Sequence, residues 1–346
     1  MTPKISILVP IYNVEKYIFQ CLDSLISQTF SDIEILCVDD CGTDNSMHIV
    51  EQYAQKDPRI HILHHSHNQG LSASRNTALS QAKAPYIMCC DSDDYYEPTM
   101  CEKLYHAITE HPVDMAICGT QIHYEIDEER KKDDNEYYRI PFNGTVEVND
   151  QVLNETDVSA WNKIYKKEIF LKHQITWPTG LKYEDAYVFY TYTCWINSIY
   201  FLPEKLYNYR RRIGSIMNQT FQANTPFALD HLKIAFVLFD YYKKHNLYEK
   251  HLERYWQALA KYAYFAYYHT DGQHKKTVTT MLQNWISEHP IPSTLPDDLK
   301  QKFQHLLAPY HFTPYKTYLG GFLVKERNQF QKRYKLLGMT IRIKNR

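Results

Sequence analysis

Tyr86-Ile87-Met88-Cys89-Cys90-Asp91-Ser92-Asp93-Asp94 is the stretch from which the rest of the chain is read. Mostly apolar residues, few enough for a buried strand, run straight into three carboxylates spread over four positions. Acids packed that closely repel one another and resist burial unless a cation neutralises them. Hard oxygen ligands of this kind suit Mg2+ or Mn2+, and Mg2+ is usually held by one or two carboxylates together with substrate phosphates. An Asp-x-Asp triplet alone fits a solvated turn or a helix cap equally well, so its reading depends on what precedes it.

Working outward toward the N-terminus, residues 5–9 predict a buried strand ending at Pro10-Ile11-Tyr12-Asn13. A helical pattern follows over 14–27, with Ile18, Leu22, Leu25 and Ile26 on one face and Asn13 as its cap. Residues 33–38 form a second strand, ending at Asp39-Asp40-Cys41-Gly42-Thr43-Asp44. A helix to residue 56, a strand over 60–63, a turn over 67–70 and a helix over 72–82 complete the approach to Tyr86. Strand and helix alternate, as in a parallel α/β sheet with right-handed crossovers. Tyr12-Asn13, Asp39-Asp40 and the acids at 91–94 each follow an apolar strand, so they share the carboxyl edge of one sheet. Open α/β sheets bind ligands at that edge.

Toward the C-terminus, a helix over 98–111 and a strand over 115–119 precede a polar, charged stretch, 122–148, which reads as an exposed hairpin or loop. Trp161-Asn162-Lys163 introduces a short helix, and Trp177 leads through Tyr183-Glu184-Asp185 into an aromatic helix over 186–197. Acids at a helix start are stabilised by the macrodipole, so Glu184 and Asp185 also fit a purely structural reading. Tyr209 is followed by Arg210, Arg211 and Arg212. Residues 226–310 carry Tyr, Phe and Leu at helical spacing and read as a bundle-like appendage. Residues 325–346 hold eight Lys or Arg against Glu326 alone, interleaved with apolar residues. Such an end suits an anionic membrane surface, or is an ordinary charged terminal helix and strand. The expected domains are 1–222, 223–324 and a basic tail, 325–346.

The near balance of 39 Lys and Arg against 40 Asp and Glu argues for no nucleic-acid partner. Of eight cysteines, seven lie before residue 119 in or beside apolar runs, with no Cys-x-x-Cys pair. They read as reduced thiols of a cytosolic protein rather than a disulfide framework or a metal cluster on Cys37, Cys41, Cys89 and Cys90. The N-terminus lacks a signal-peptide core, and no apolar run approaches the roughly 20 residues of a membrane span. The expected location is cytoplasmic, peripheral to the inner face of the membrane if the tail binds it. The oligomeric state is open, a dimer through the aromatic helical part included.

Taken together, Ile7-Leu8-Val9-Pro10-Ile11-Tyr12-Asn13, Val38-Asp39-Asp40 with Thr43-Asp44-Asn45-Ser46, Asn68-Gln69-Gly70-Leu71-Ser72-Ala73-Ser74-Arg75-Asn76 and Asp91-Ser92-Asp93-Asp94 resemble the family 2 glycosyltransferases. The resemblance spans about residues 4–220; the C-terminal third matches loosely, as the variable tail of bacterial lipopolysaccharide and capsule enzymes. It implies a GT-A fold, Rossmann-like, with a mostly parallel sheet and flanking helices, followed by a helical appendage. It further implies that Pro10, Tyr12 and Asp40 hold the nucleotide base, with Asn13 or Glu15 nearby and Asn68 and Arg75 completing that side. Asp91, beside Ser92, would face the ribose, and Asp93 with Asp91 would hold Mn2+ or Mg2+ at the diphosphate. Glu184-Asp185 matches the family's acidic pair, with Asp185 as base, and Arg210 and Arg212 belong to a basic element closing over the diphosphate. One departure is visible: many relatives have Gly-Ser after the second aspartate of the strand-two pair, where this chain has Cys41-Gly42.

The expected activity is inverting, metal-dependent transfer of a sugar from a nucleotide sugar, UDP-linked first, to a hydroxyl of a surface-glycan or lipid-linked acceptor. Trp161, Trp177, Tyr183 and Tyr187 are candidates for an acceptor platform and Lys163 for a phosphate or acceptor contact; core packing is the competing reading for the aromatics, a solvated surface position for the lysine. A nucleotidyltransferase of related fold is the alternative, although Pro10-Ile11-Tyr12-Asn13 lacks the Gly-rich, basic first loop of that class. A catalytically silent binding subunit is the other.

Overall fold

Unbroken burial from Ile5 to Ile11 identifies β1 (Ile5–Ile11) as a central strand. The computed structural model describes residues 2–126, 131–221, 226–270 and 272–307 and, beyond them, four strands at 317–319, 323–327, 331–336 and 339–344. After β1 come α1 (Ile18–Ile26), β2 (Ile33–Asp39), α2 (Ser46–Ala54), β3 (Ile60–His64), α3 (Leu71–Gln81) and β4 (Tyr86–Cys89). These give the parallel run β3-β2-β1-β4, with Leu8 opposite both Leu36 and Cys89.

The next elements are β5 (Tyr95–Tyr96), α4 (Met100–Glu110), β6 (Met115–Tyr124), α5 (Lys131–Tyr137), β7 (Gly144–Glu147), α6 (Asp150–Glu155), β8 (Lys163–Lys166), α7 (Lys167–Lys172), α8 (Glu184–Tyr192) and β9 (Ser198–Arg211). They extend the sheet to nine strands in the order β3-β2-β1-β4-β8-β6-β9-β5, with β7 also on β9. β8 runs antiparallel to both β4 and β6, so the sheet is mixed beyond β4.

β1 pairs with β4 only as far as Leu8–Cys89, while its pairing with β2 continues to Ile11–Asp39. Pro10, which has no N–H to donate, therefore sits past the end of the β4 ladder. A crevice opens there, at the carboxyl edge expected to carry the ligand.

Several local expectations change. α1 begins at Ile18 and has Tyr17, not Asn13, at its N-cap. The Asn13 side chain instead accepts from the Thr43 N–H at 2.8 Å, tying the turn after β1 to the turn after β2. The departure at Cys41-Gly42 is accommodated: Cys41 takes the left-handed conformation, φ 58°, and its N–H donates to Asp39 Oδ1 at 2.9 Å. Gly42 is required by proximity, because a Cβ there would lie 3.0 Å from Asn13 N. The polar stretch 122–148 is not simply an exposed loop: β6, α5 and β7 occupy much of it, and Asp134 and Tyr138 within it are buried.

The helical part comprises α9 (Ile216–Phe221), α10 (Ala228–Lys244), α11 (Leu252–Tyr268), α12 (Gly272–Glu288) and α13 (Asp297–Leu307). α10 packs on α8 and its C-terminal turn, with the Trp195 Nε1–H donating to Tyr241 Oη at 2.9 Å, and Trp256 is buried in α11. These helices through residue 300 form one compact unit with the sheet rather than a separate body. Residues 301–346 form a second unit, in which β10 (Thr317–Leu319), β11 (Leu323–Arg327), β12 (Gln331–Leu336) and β13 (Met339–Lys344) make an antiparallel sheet. The boundary expected at residue 325 thus falls inside β11. The side chains of 325–346, on which the membrane expectation rests, lie outside the described residues.

Candidate active site

The carboxyl edge opens into a cavity of about 970 Å³, walled by the ends of β1, β2 and β4, the start of α8, the segment after β9 and helices α10 and α11. Of the residues expected to contact nucleotide sugar, Pro10, Tyr12, Asn13, Asp40, Asn68, Arg75, Asp91, Ser92, Asp93, Arg210 and Arg212 all line it. Glu15 does not. Its carboxylate accepts from the Asn45 N–H at 2.8 Å, and its own N–H donates to Asp44 Oδ2 at 2.9 Å, so Glu15 fastens the turn before α2.

Asp40 is buried and is fixed by its neighbours. Oδ1 accepts from the Gln69 N–H at 2.7 Å and meets His65 Nδ1 at 2.8 Å; Oδ2 accepts from the Gly70 N–H at 2.9 Å. Gly70 can present that N–H because it adopts φ 87° at the N-cap of α3. A carboxylate accepts about four hydrogen bonds, so one acceptor position remains for a ligand donor.

Arg75 reaches the centre of the acidic cluster rather than the base side on which it was expected. Its guanidinium is buried and donates to Asp91 Oδ1 at 2.7 Å, Glu184 Oε1 at 2.7 Å and Asp185 Oδ1 at 2.5 Å. Three carboxylates on one cation leave a negative excess. Burial, then the neighbouring Asp185 charge, pushes Glu184 up to about 7 against the pull of Arg75. Burial likewise raises Asp91, again opposed by Arg75.

The acidic turn after β4 divides its three carboxylates between roles. Asp94 is buried, accepting from Tyr207 Oη–H and the Arg210 N–H at 2.7 Å each, and burial pushes its carboxyl well above the usual range. Asp94 is therefore a brace to β9. Asp93 faces the cavity, and its Oδ2 accepts from Arg212 Nε at 2.6 Å; Arg210 Nε donates to the Asp93 carbonyl at 2.8 Å. Asp91 and Asp93 supply oxygen donors of the hardness a Mg2+ or Mn2+ ion prefers, and one or two such ligands suffice when phosphates complete the shell. Among the described residues no group of three or more His, Cys, Asp or Glu side chains gathers as a metal site, and Cys37, Cys89 and Cys90 are buried free thiols.

On the acceptor side Trp161 and Tyr183 line the cavity, whereas Trp177 and Lys163 do not. Trp161 stacks between Tyr207 and Tyr209, at 4.2 and 5.3 Å between centroids. Tyr183 holds a left-handed conformation, φ 64°, immediately before Glu184, and its ring lies 3.6 Å from that of His231. Trp177 is buried against Phe170 and fixed through both backbone groups by Asn76, so it belongs to the core. Lys163 is fully buried and ion-paired to Asp157, beyond reach of an acceptor. Asp185 is completed by the Ala160 N–H, which donates to Oδ2 at 3.1 Å.

Sequence reading missed the walls contributed by Asp134, which pairs with Arg211 at 2.5 Å, and by Tyr138, Lys182, His231 and Phe265. The adjacent Tyr137 and Tyr138 within a charged run are the one local signal for the first of these walls. The aromatic helices carry none, since their spacing also describes a core.

Comparison with known proteins agrees with this geometry. The profile of the family described as "Glycosyl transferase family 2" matches residues 6–173. Glycosyltransferase GlyG of Streptococcus pneumoniae is 32% identical over 234 residues, covering 64% of this chain and 75% of that protein. The uncharacterized glycosyltransferase EpsJ of Bacillus subtilis is 28% identical over 332 residues, covering 89% and 84%. The crystal structure of S. aureus TarS 1–349 in complex with UDP-GlcNAc superposes with a TM-score of 0.60 at 19% identity, covering 99% of each chain. Fold and acidic edge together define a glycosyltransferase of the GT-A type. The chain belongs to glycosyl transferase family 2.

Proposed function

We propose that this chain moves a sugar from a nucleotide sugar, with UDP as the first nucleotide to test, to a hydroxyl of a bacterial surface glycan or its lipid-linked precursor, inverting the anomeric centre with Asp185 as general base. The observation that carries this reading is the Arg75 guanidinium, bonded at once to Asp91 of the acidic turn and to Glu184 and Asp185 at the start of α8. Donor end and base are thereby held in one rigid cluster. The UDP-GlcNAc bound in the TarS fragment supports the choice of uridine.

In this reading Tyr12, half exposed at the rim, covers the base, and the remaining acceptor position of Asp40 takes the uracil N3–H. Asp91 and Asp93 would hold the divalent cation, which when bound supplies Lewis-acid stabilisation of the departing diphosphate. Arg212 and Arg210 add cationic donors beside it. Asp185 takes the proton of the attacking hydroxyl; attack opposite the diphosphate inverts the centre with no covalent intermediate. Glu184, buried and bonded to Arg75 beside Asp185, completes the acidic pair. Contact of the tail, 325–346, with an anionic membrane belongs to the same reading; removing it should shift the protein out of the membrane fraction, and unchanged fractionation rejects the contact.

The test is calorimetric titration of UDP with and without Mn2+ on the wild type and Asp93→Ala. Metal-dependent binding weakened about tenfold or more by the substitution is expected. No binding of UDP, GDP or CDP by the folded protein would overturn a nucleotide-sugar donor.

A further inference from the structure

Behind the cavity, residues 156–163 are fastened by a buried ion pair that no step of the transfer uses. Asp157 and Lys163 have no solvent exposure, and their nearest atoms, Oδ1 and Nζ, are 3.3 Å apart. Lys163 Nζ donates also to the Ser159 carbonyl at 2.6 Å and to Asn162 Oδ1 at 2.7 Å. Three acceptors around one nitrogen match the three hydrogens of an ammonium, and the lowering that burial imposes on Lys163 is opposed by Asp157 among them. Asp157 accepts in turn from the Ser159 N–H and from Asn162 Nδ2, at 3.0 Å each. Asn162 Nδ2 reaches the Cys118 carbonyl at 3.2 Å, which anchors the knot to β6.

A buried ion pair contributes little net stability relative to an apolar pair of the same shape. What this one does is fix the course of the backbone between its members. That backbone carries the Ala160 N–H on Asp185 Oδ2 and the Trp161 ring stacked on Tyr207 and Tyr209. We propose that Asp157 and Lys163 are positioning residues for the Asp185 carboxylate: the pair holds the Ala160 N–H on Oδ2 while Arg75 holds Oδ1, fixing the orientation of the base. This rests on the reading of Asp185 as the base.

The charged groups around Asp185 are Arg75 from α3, Asp91 after β4, Glu184 beside it and Lys163 across the loop, with the Cys89 thiol and Tyr165 phenol also in its field.

The experiment uses the double variant Asp157→Asn/Lys163→Met, which removes both charges and leaves neither ion unpaired. UDP release from UDP-GlcNAc and UDP-glucose is followed in Mn2+, beside UDP affinity by calorimetry. Expected are UDP affinity within about twofold of wild type and kcat lower by about tenfold or more, a split that a general loss of folding would not give. A folded double variant with the kcat of the wild type would overturn the positioning role. Asp185→Asn separates the two readings: wild-type turnover in it removes the base assignment itself. If neither donor is turned over, urea unfolding of the cycle between Asp185→Asn and the double variant decides. Coupling that changes the unfolding constant by about fivefold or more supports the contact, and additivity within about twofold overturns it. If the double variant does not fold, Asn162→Ala, which loosens the knot and keeps the charges paired, carries the same expectations at smaller size, with wild-type values again the overturning result.

Discussion

Arg212 and Asp93 form an ion pair, Nε to Oδ2 at 2.6 Å, that joins the segment after β9 to the acidic turn after β4. Both side chains are mostly buried, and burial raises the Asp93 carboxyl while Arg212 opposes that rise. A cation that takes Asp93 as ligand must share this carboxylate with Arg212. In the proposed reaction, that places a guanidinium beside the diphosphate before donor arrives. Arg212→Met should weaken UDP binding in Mn2+ about tenfold, the size of one charge-assisted contact. Calorimetry measures it; affinity within twofold of wild type would place Arg212 outside the donor site.

Arg75 stands at the middle of Asp91, Glu184 and Asp185 with almost no exposure. Removing it leaves three carboxylates facing one another in a buried place. Arg75→Met should therefore lose about 3–5 kcal/mol of stability near neutral pH. Part of that loss should return as pH falls and the carboxylates protonate. Urea denaturation at two pH values reads both effects, and a loss under about 1 kcal/mol would mean the cluster relaxes into solvent.

Glu184 gives a pH dependence of definite sign. Its proton affinity is raised on folding, from near 4.5 to about 7. A raised folded value contributes stability that is fully present below the unfolded value and is lost as pH rises through the folded one. In chelator, wild type should thus lose stability between about pH 5 and 8 relative to Glu184→Gln, which has no proton to release there. Parallel melting curves for the two proteins across that window would refute the shift.

The parts of this site legible in sequence are those set by local pattern. Short apolar runs ending in Asn, Asp or Asp-x-Asp gave the strands and the edge, because burial on both faces forces apolar continuity and the turn residues follow at once. Roles that depend on a distant partner were not legible. Asn13 looks like a cap until the turn after β2 is brought beside it. Lys163 and Trp177 look like surface and platform residues, since nothing local announces Asp157 as a buried counter-ion or Asn76 as a backbone clamp. The walls built by α10 and α11 were hidden for a third reason: aromatic spacing shows which helix face is apolar, not whether that face meets a core or a cavity.

Asp40 allows a test of the nucleotide itself. Its two oxygens are fixed by the Gln69 and Gly70 N–H groups and by His65, which leaves one acceptor position. Asn at this position keeps the shape but replaces one acceptor oxygen by an NH2 group. Either the Gly70 N–H or the uracil N3–H then faces a donor, and one hydrogen bond to a charged acceptor is lost. Asp40→Asn should weaken UDP binding by about tenfold or more while thermal stability falls only modestly. Uridine and UDP should lose affinity by the same factor, since the contact is with the base and not the phosphates. If UDP weakens but uridine does not, Asp40 acts through the phosphate side, and the base must be held elsewhere along the β1 edge.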